Sequence, residues 1–461
     1  GEKLPDSYSE ADTKVYIAQT QDMLKGFRTD QELIEYKKMR DPNKIMAMKL
    51  YARLESSLQM TKVEAQPIVT MKIVQLSLAR GMSPISPLAF TYFGQLLARL
   101  GDIREGCRYV RIGRQLLDRI GSKEVAGEVI AQGTQIMCFV EPVQATLETH
   151  VQGHTTAMAA GDTHGALLNI MFHSGTSMWA GTKLSALTKQ HALAHRLMEE
   201  HDHMTFLAHM SQMFKNISML RGTDDSHVPE IEGVKNVREG NPHVSYTQAL
   251  QDMYIKFMFR EYEEMKVFAE KYYDFDLHAW NLTFIHTAHT FYGGLVSSWV
   301  YRQSKDPKWA DRARKAKSAI KKWADCNEWN FQNKLYLLEA EEAFCYDDIQ
   351  SAESFYEKAS SSARKHRFIN EEALAQELAG HFFLEKGKKG AAVEYFMKAR
   401  ENYLEWGAVA KSNSLFEYAQ GLLSAKSSLG TCTFPDFSSS TSGPSDNGEK
   451  KKGKRMPLWS E

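Results

Sequence analysis

Nearly every stretch of fifteen to twenty residues in this chain carries apolar side chains at i, i+3, i+4 and i+7, the spacing that lines one face of an α-helix. Strict alternation, the mark of a half-buried strand, is hard to find. The pattern predicts an all-α protein. Superimposed on it is a second period. In the segment beginning INEEALAQELAGHFFLEKGKKGAAVEYFMKAR, Gly380, Gly387, Ala392 and Ala399 follow one another at intervals of seven, five and seven, with Phe383 and Phe396 as bulky partners. That is the tetratricopeptide arrangement, in which small residues sit where two antiparallel helices approach and rings fill the remaining space.

The same spacing recurs upstream with Gly94, Gly101, Gly106 and Gly113. Four glycines cost helix propensity, so close packing is expected to compensate. Weaker copies carry Gly161 and Ala166, and Ala340, Ala352 and Ala359. Degenerate repeats of this kind predict an α-α superhelix, a right-handed solenoid of roughly ten helical hairpins. Breaks in periodicity divide it into a helical lead-in at 1–41, a first block at 42–222, an inter-block loop at 223–245 and a second block at 246–425. Pro84, Pro87, Pro142 and Pro307 suit the first turn of the helix that follows each. Residues 426–461 turn to Ser, Gly, Pro and Lys, too poor in apolar area to repay ordering, and are expected to be a disordered tail.

Composition narrows the partners. The chain is 43% hydrophobic and 25% charged, with 57 basic and 57 acidic residues, so it has no global field to steer polyanions. Nucleic acid is not expected as a partner. Five cysteines, Cys107, Cys138, Cys326, Cys345 and Cys432, form no C-x-x-C pair and read as reduced, mostly buried thiols. No apolar run reaches the eighteen or so residues of a membrane span, and the start GEKLPDSYSEAD lacks a secretory signal, so a cytoplasmic, membrane-free chain is expected. Its first residue, Gly1, suggests a piece of a longer protein.

Candidate chemistry is thin. GTSMWAGTK, from Gly175 to Lys183, places five residues between its glycines where a phosphate-binding loop has four, and it lies in a helical pattern. His191 with His195, and His286 with His289, have ligand-like spacing, and Glu199 extends the first pair by a turn. HALAH lacks the glutamate of a hydrolytic zinc helix, so solvated helix-face histidines are expected there. Glu339, Glu341, Glu342, Asp347 and Asp348 read as a solvated outer face and turn. Lys450, Lys451, Lys452, Lys454 and Arg455 form a basic run suited to a solubilising tail or a nuclear import signal. Trp280, Trp299, Trp309, Trp323 and Trp329 are expected mainly in the core, a minority being available to anchor a peptide.

Three stretches carry a family likeness: LARGMSP with the AF…G that follows, NF…K…LLEAE, and EWGAVAK. They resemble the helical-repeat region of large multidomain signalling ATPases over roughly residues 45–220 and 246–420. The central loop is shorter and more polar than in that family, and the tail differs from its usual downstream domain. In that family the repeats follow an AAA or STAND-type nucleotide-binding domain and accompany Ser/Thr kinase, GAF and histidine-kinase modules. The resemblance implies a non-catalytic interaction or sensor arm without catalytic, metal or cofactor residues of its own. Its implied contacts are a protein or peptide in the concave groove and the attached signalling domains. Two alternatives go with it: a piece of an ATPase or kinase whose catalytic domains lie elsewhere, and a free-standing tetratricopeptide adaptor that clamps acidic peptide tails.

Overall fold

The computed structural model describes residues 9–61, 65–223, 234–274 and 283–424. The tail, its basic run, Trp280, Cys432 and most of the expected inter-block loop lie outside them. The described residues form 21 α-helices and no sheet, with one isolated bridge between Lys38 and Met82. The all-α expectation holds.

The lead-in comprises α1 (Glu10–Leu24) and α2 (Asp30–Ile34), followed by α3 (Pro42–Thr61) and α4 (Gln66–Arg80). Next come α5 (Ser86–Arg99), α6 (Ile103–Ile120), α7 (Ala126–Met137), α8 (Val143–Ala159), α9 (Thr163–Trp179), α10 (Leu184–Glu200) and α11 (Met204–Arg221). A short α12 (Val234–Gly240) precedes α13 (Pro242–Met258), α14 (Tyr262–Tyr273), α15 (Phe284–Ser304) and α16 (Pro307–Ala324). The chain continues through α17 (Glu328–Cys345), α18 (Ile349–Lys365), α19 (Ile369–Glu385), α20 (Lys389–Trp406) and α21 (Val409–Ser424).

Each helix from α3 onward packs on its successor, and the odd-numbered helices from α5 to α19 also pack on one another in order. Two layers result. The even helices are amphipathic: α20 buries Ala392, Phe396, Ala399, Tyr403 and Trp406, a single stripe at three- and four-residue steps. The odd helices are enclosed all round, as α19 shows by burying every residue from Asn370 to Phe383. Outer helices therefore read as amphipathic and inner ones do not.

Hairpin turns follow a local rule. Asp347, Arg367, Gly387 and Gly407 all have positive φ and recur at twenty-residue intervals. Gly101 and Gly161 take the same conformation, and the aspartate after each, Asp102 and Asp162, caps the next helix by accepting from a backbone N–H. Asp347 and Asp348 repeat the device without glycine.

The thirteen small positions thus separate into two kinds. Gly94 and Gly106 face each other so closely that a Cβ on either would lie 2.5 Å from the other's carbonyl oxygen, and one on Gly113 would lie 2.8 Å from the Pro87 carbonyl. Gly380 backs onto the Phe396 ring at 2.5 Å on the same measure. Ala166, Ala340, Ala352, Ala359, Ala392 and Ala399 are buried. Gly101, Gly161 and Gly387 are instead turn residues with open space around the missing Cβ; positive φ, not close packing, explains them.

The inner layer curls until it meets itself. α9 touches α15, and α11 touches α21. Asn330 of α17 forms part of the join: its amide donates to the carbonyls of Cys138 (2.6 Å) and Glu141 (2.8 Å), and its oxygen accepts from Val143 N–H at 3.0 Å. Trp329 Nε1 donates to Gln144 Oε1 at 3.0 Å, and Trp406 Nε1 to the Thr182 carbonyl at 3.0 Å. One buried apolar cluster consequently runs from Ala98 to Ala419, with residues from both sides of the expected inter-block loop.

Candidate functional site: a histidine-lined cavity

The curl leaves a cavity of about 350 Å³ between α9, α11, α13 and α15. Helical spacing assembles its wall. α9 contributes His164, Leu168, Met171, Phe172, Gly175 and Trp179, one face at three- and four-residue steps, while α13 contributes His243, Thr247 and Gln251. Phe206, His209, Met210 and Met213 come from α11, and Ile285, His286 and His289 from α15. His203 and Thr283, the residues just before α11 and α15, complete it with Glu128 and Gln132 of α7 and Ser56 of α3.

Six histidines therefore converge from four segments of the sequence. His243 Nδ1 lies 3.0 Å from His209 Nε2, so one imidazole donates and the other accepts. His286 Nδ1 lies 2.7 Å from Thr283 Oγ1, and His289 Nδ1 lies 2.8 Å from the Tyr246 hydroxyl. The remaining Nε2 atoms of His286 and His289, and the indole Nε1 of Trp179, are buried without a hydrogen-bond partner.

Burial keeps these imidazoles neutral at pH 7. It pushes His209 and His286 down to about 4, and holds His243 and His289 well below the usual histidine range, with neighbouring imidazoles adding to the effect. His164 and His203 are lowered for the same first reason. Glu128, the one carboxylate in the wall, accepts from the Tyr92 hydroxyl, and burial raises its pKa. No lysine or arginine lines the cavity.

The pair His286 and His289 is thus part of the site, although its sequence spacing alone suggested exposed helix-face residues. The other pair needs correction. His191 is buried, 1% exposed, with its ring 6.3 Å from that of Phe214, because α10 turns that face onto α11. Among the described residues no group of three or more His, Cys, Asp or Glu is placed to hold a metal ion. Gly175 sits inside α9, where an added Cβ would lie 2.7 Å from Ile285 Cδ1, and Lys183 precedes α10, so GTSMWAGTK is helix and turn and not a phosphate cradle.

The acidic cluster is only partly a solvated face. Glu341, 2% exposed, pairs with Arg302 and accepts from the Tyr356 hydroxyl at 2.5 Å, since it points inward from an inner-layer helix. Glu342 pairs with Lys317 and Asp347 with Lys386, Asp348 caps α18, and burial raises the pKa of Glu339. Trp299 and Trp309 are core, whereas Trp323 and Trp329 pack partly buried against it. Cys107 and Cys138 are buried free thiols; Cys326 and Cys345 are free and partly exposed.

A groove of mixed charge near the α18–α19 turn gathers Lys183, Arg364, Arg367 and Lys398, with Glu372, Glu401 and Glu405 beside them. Arg364 is already paired with Glu372. Cations compensated in this way do not make the uncovered clamp that an acidic peptide tail requires.

Sequence reasoning missed His164, His203, His209 and His243, and with them Trp179. The available signal was sixteen histidines in a chain whose helices are otherwise apolar. Spacing within one helix cannot show which helices share an interior. No helix among the described residues is long and apolar enough to cross a membrane. A comparison with known families and curated proteins gives no matching family model and no significant match to a curated protein.

Proposed function

We propose that this chain is a non-catalytic interaction or sensor scaffold, the tetratricopeptide-like arm of a multidomain signalling ATPase or kinase, which passes the arrival of an effector or protein partner to domains attached to it. The observation that carries this reading is the cavity enclosed by four inner helices of a two-layered hairpin stack. An occupant there touches α9, α11, α13 and α15 at once, and so biases how the two sides of the stack are packed. It shifts the arrangement only by as much as it binds one packing better than the other.

The segments that carry the family likeness add support. Asn330 and Glu341 of NF…K…LLEAE, and Trp406, Gly407 and Lys411 of EWGAVAK, lie in the buried contacts of the inner layer or at the join between the two sides. A scaffold needs such residues to hold its curvature. Localisation in the cytoplasm, and protein partners on the outer helices, belong to the same proposal.

The chain is expected to hydrolyse no ATP and to transfer no phosphate to itself. Radiolabelled ATP turnover at micromolar protein tests the first and autophosphorylation the second. Turnover that survives repurification, or labelled protein, would remove the scaffold reading.

A further inference from the structure

The cavity has a definite size, polarity and charge, and each restricts what fits. A cavity of about 150 Å³ holds benzene, so the 350 Å³ here suits a molecule of roughly a dozen non-hydrogen atoms. Its walls are mostly carbon and sulfur: Phe172, Phe206 and Trp179 present rings, and Met171, Met210 and Met213 supply adaptable thioethers around them.

Charge excludes ions of either sign. An anion would find no lysine or arginine, and a cation would find only Glu128, which is already engaged by Tyr92. The wall is not silent, however. Trp179 Nε1 is an obligate donor without an acceptor, and the Nε2 atoms of His286 and His289 lack partners as well. A buried polar atom left unpaired is costly, and an occupant bearing an oxygen acceptor would relieve that cost.

We infer that this cavity is a binding site for an uncharged aromatic molecule of one or two fused rings that carries a hydroxyl or carbonyl oxygen. The ring lies among the methionine and aromatic side chains, and the oxygen takes the Trp179 N–H and a histidine Nε2. This assignment deepens the sensor reading and rests on it for its purpose. The test separates the two, because failed binding removes the ligand class while unaided nucleotide turnover removes the scaffold.

The probe is 2-naphthol, titrated calorimetrically into the full chain at pH 7.5 beside two charged relatives, 2-naphthoate and 2-naphthylmethylammonium. Saturable binding at one molecule per chain is expected for the naphthol, and at least tenfold weaker binding for both ions. Trp179→Phe keeps a ring and removes the donor, and is expected to weaken naphthol binding at least fivefold. Met210→Trp and Thr247→Leu fill the cavity and are expected to abolish it; two are used so that a folded one, verified by circular dichroism, is available. The inference is overturned by no heat up to the solubility limit, by equal binding of the ions, by several molecules per chain, or by undiminished binding in a folded filled variant.

Discussion

Buried charge is handled in this chain by pairing, and the pair that most constrains it is Lys411 with Glu377. Both are 2% exposed; Lys411 Nζ lies 2.6 Å from Glu377 Oε1 and also donates to the Met258 carbonyl, while the Tyr403 hydroxyl donates to Glu377 at 2.8 Å. The ammonium beside it holds the Glu377 carboxyl far below the usual carboxylate range despite burial. Lys411→Met is therefore expected to cost about 3–5 kcal/mol in urea denaturation, since a carboxylate remains stranded, and Lys411→Met with Glu377→Leu to cost clearly less. A double variant no better than the single would refute the pairing argument. The histidines make a second residue-scale statement. Burial pushes His150 and His191 down to about 3, and His173, His209, His286 and His381 down to about 4, against about 6.5 in an unfolded chain. The unfolded chain thus takes up protons that the folded chain refuses. Stability is complete above about pH 7 and falls as pH drops from about 6.5 toward 4, at about 1.4 kcal/mol per pH unit for each such histidine. A melting temperature unchanged between pH 7.5 and 5 would contradict this, and His150→Gln is expected to flatten the fall.

Elements differ in how much the sequence announces them. Outer helices such as α18, which buries Ala352, Tyr356, Ala359 and Ala363 along one stripe, are legible because burial on one side writes a 3.6-residue period into the chain. The α5–α6 hairpin is legible too, since only glycines at 94 and 106 permit its backbone approach. Gly94→Ala is expected to lose about 1–3 kcal/mol, because the new methyl meets the Gly106 carbonyl and neither helix can yield without disturbing its other neighbours. Turns built without glycine are harder to read. Lys305 ends α15 at φ 55°, exposed, where left-handed backbone costs about 1–2 kcal/mol for a residue with a Cβ. Lys305→Gly is accordingly expected to raise thermal stability by up to about 1 kcal/mol, the remainder being lost to extra freedom in the unfolded chain, and a drop in melting temperature would count against this account of the turn. Inner helices escape reading for a different reason. α19 is enclosed on every side, so Glu371, Glu372, Gln376 and Glu377 are buried where a periodicity argument places solvent. His191 was misjudged in the same way, its face being covered by a neighbouring helix.

At the scale of the whole molecule, what matters is that residues about 190 positions apart share hydrogen bonds, which nothing in local patterning foretells. Asn327 and Asn330 both donate to the carbonyls of Cys138 and Glu141, the last turn of α7 and the bend beyond it, and Gln144 donates to the His366 carbonyl from the start of α8. Around them Phe139 stacks on Phe331 at 5.6 Å and meets Trp323 edge-on at 5.8 Å. A change of angle between the sides of the stack would have to part these contacts, so the join, more than the segment between the blocks, sets the cost of any rearrangement. Stacked repeats ordinarily couple only to their neighbours and can unfold piecemeal. A closed curl adds coupling between distant repeats and is expected to make unfolding of the described helices one cooperative transition. Asn330→Leu separates these possibilities: it removes the fork and strands two buried carbonyls and the Val143 N–H, at about 1–3 kcal/mol each where no partner replaces it. Hydrogen exchange followed by mass spectrometry reads the result. In the parent chain α7–α9 and α17–α19 are expected to exchange with one common opening free energy, and in Asn330→Leu to part into two classes with α7–α9 opening first. If the two regions already differ in the parent, or stay together in the variant, the join does not hold the curl and the cavity it encloses is not maintained by it.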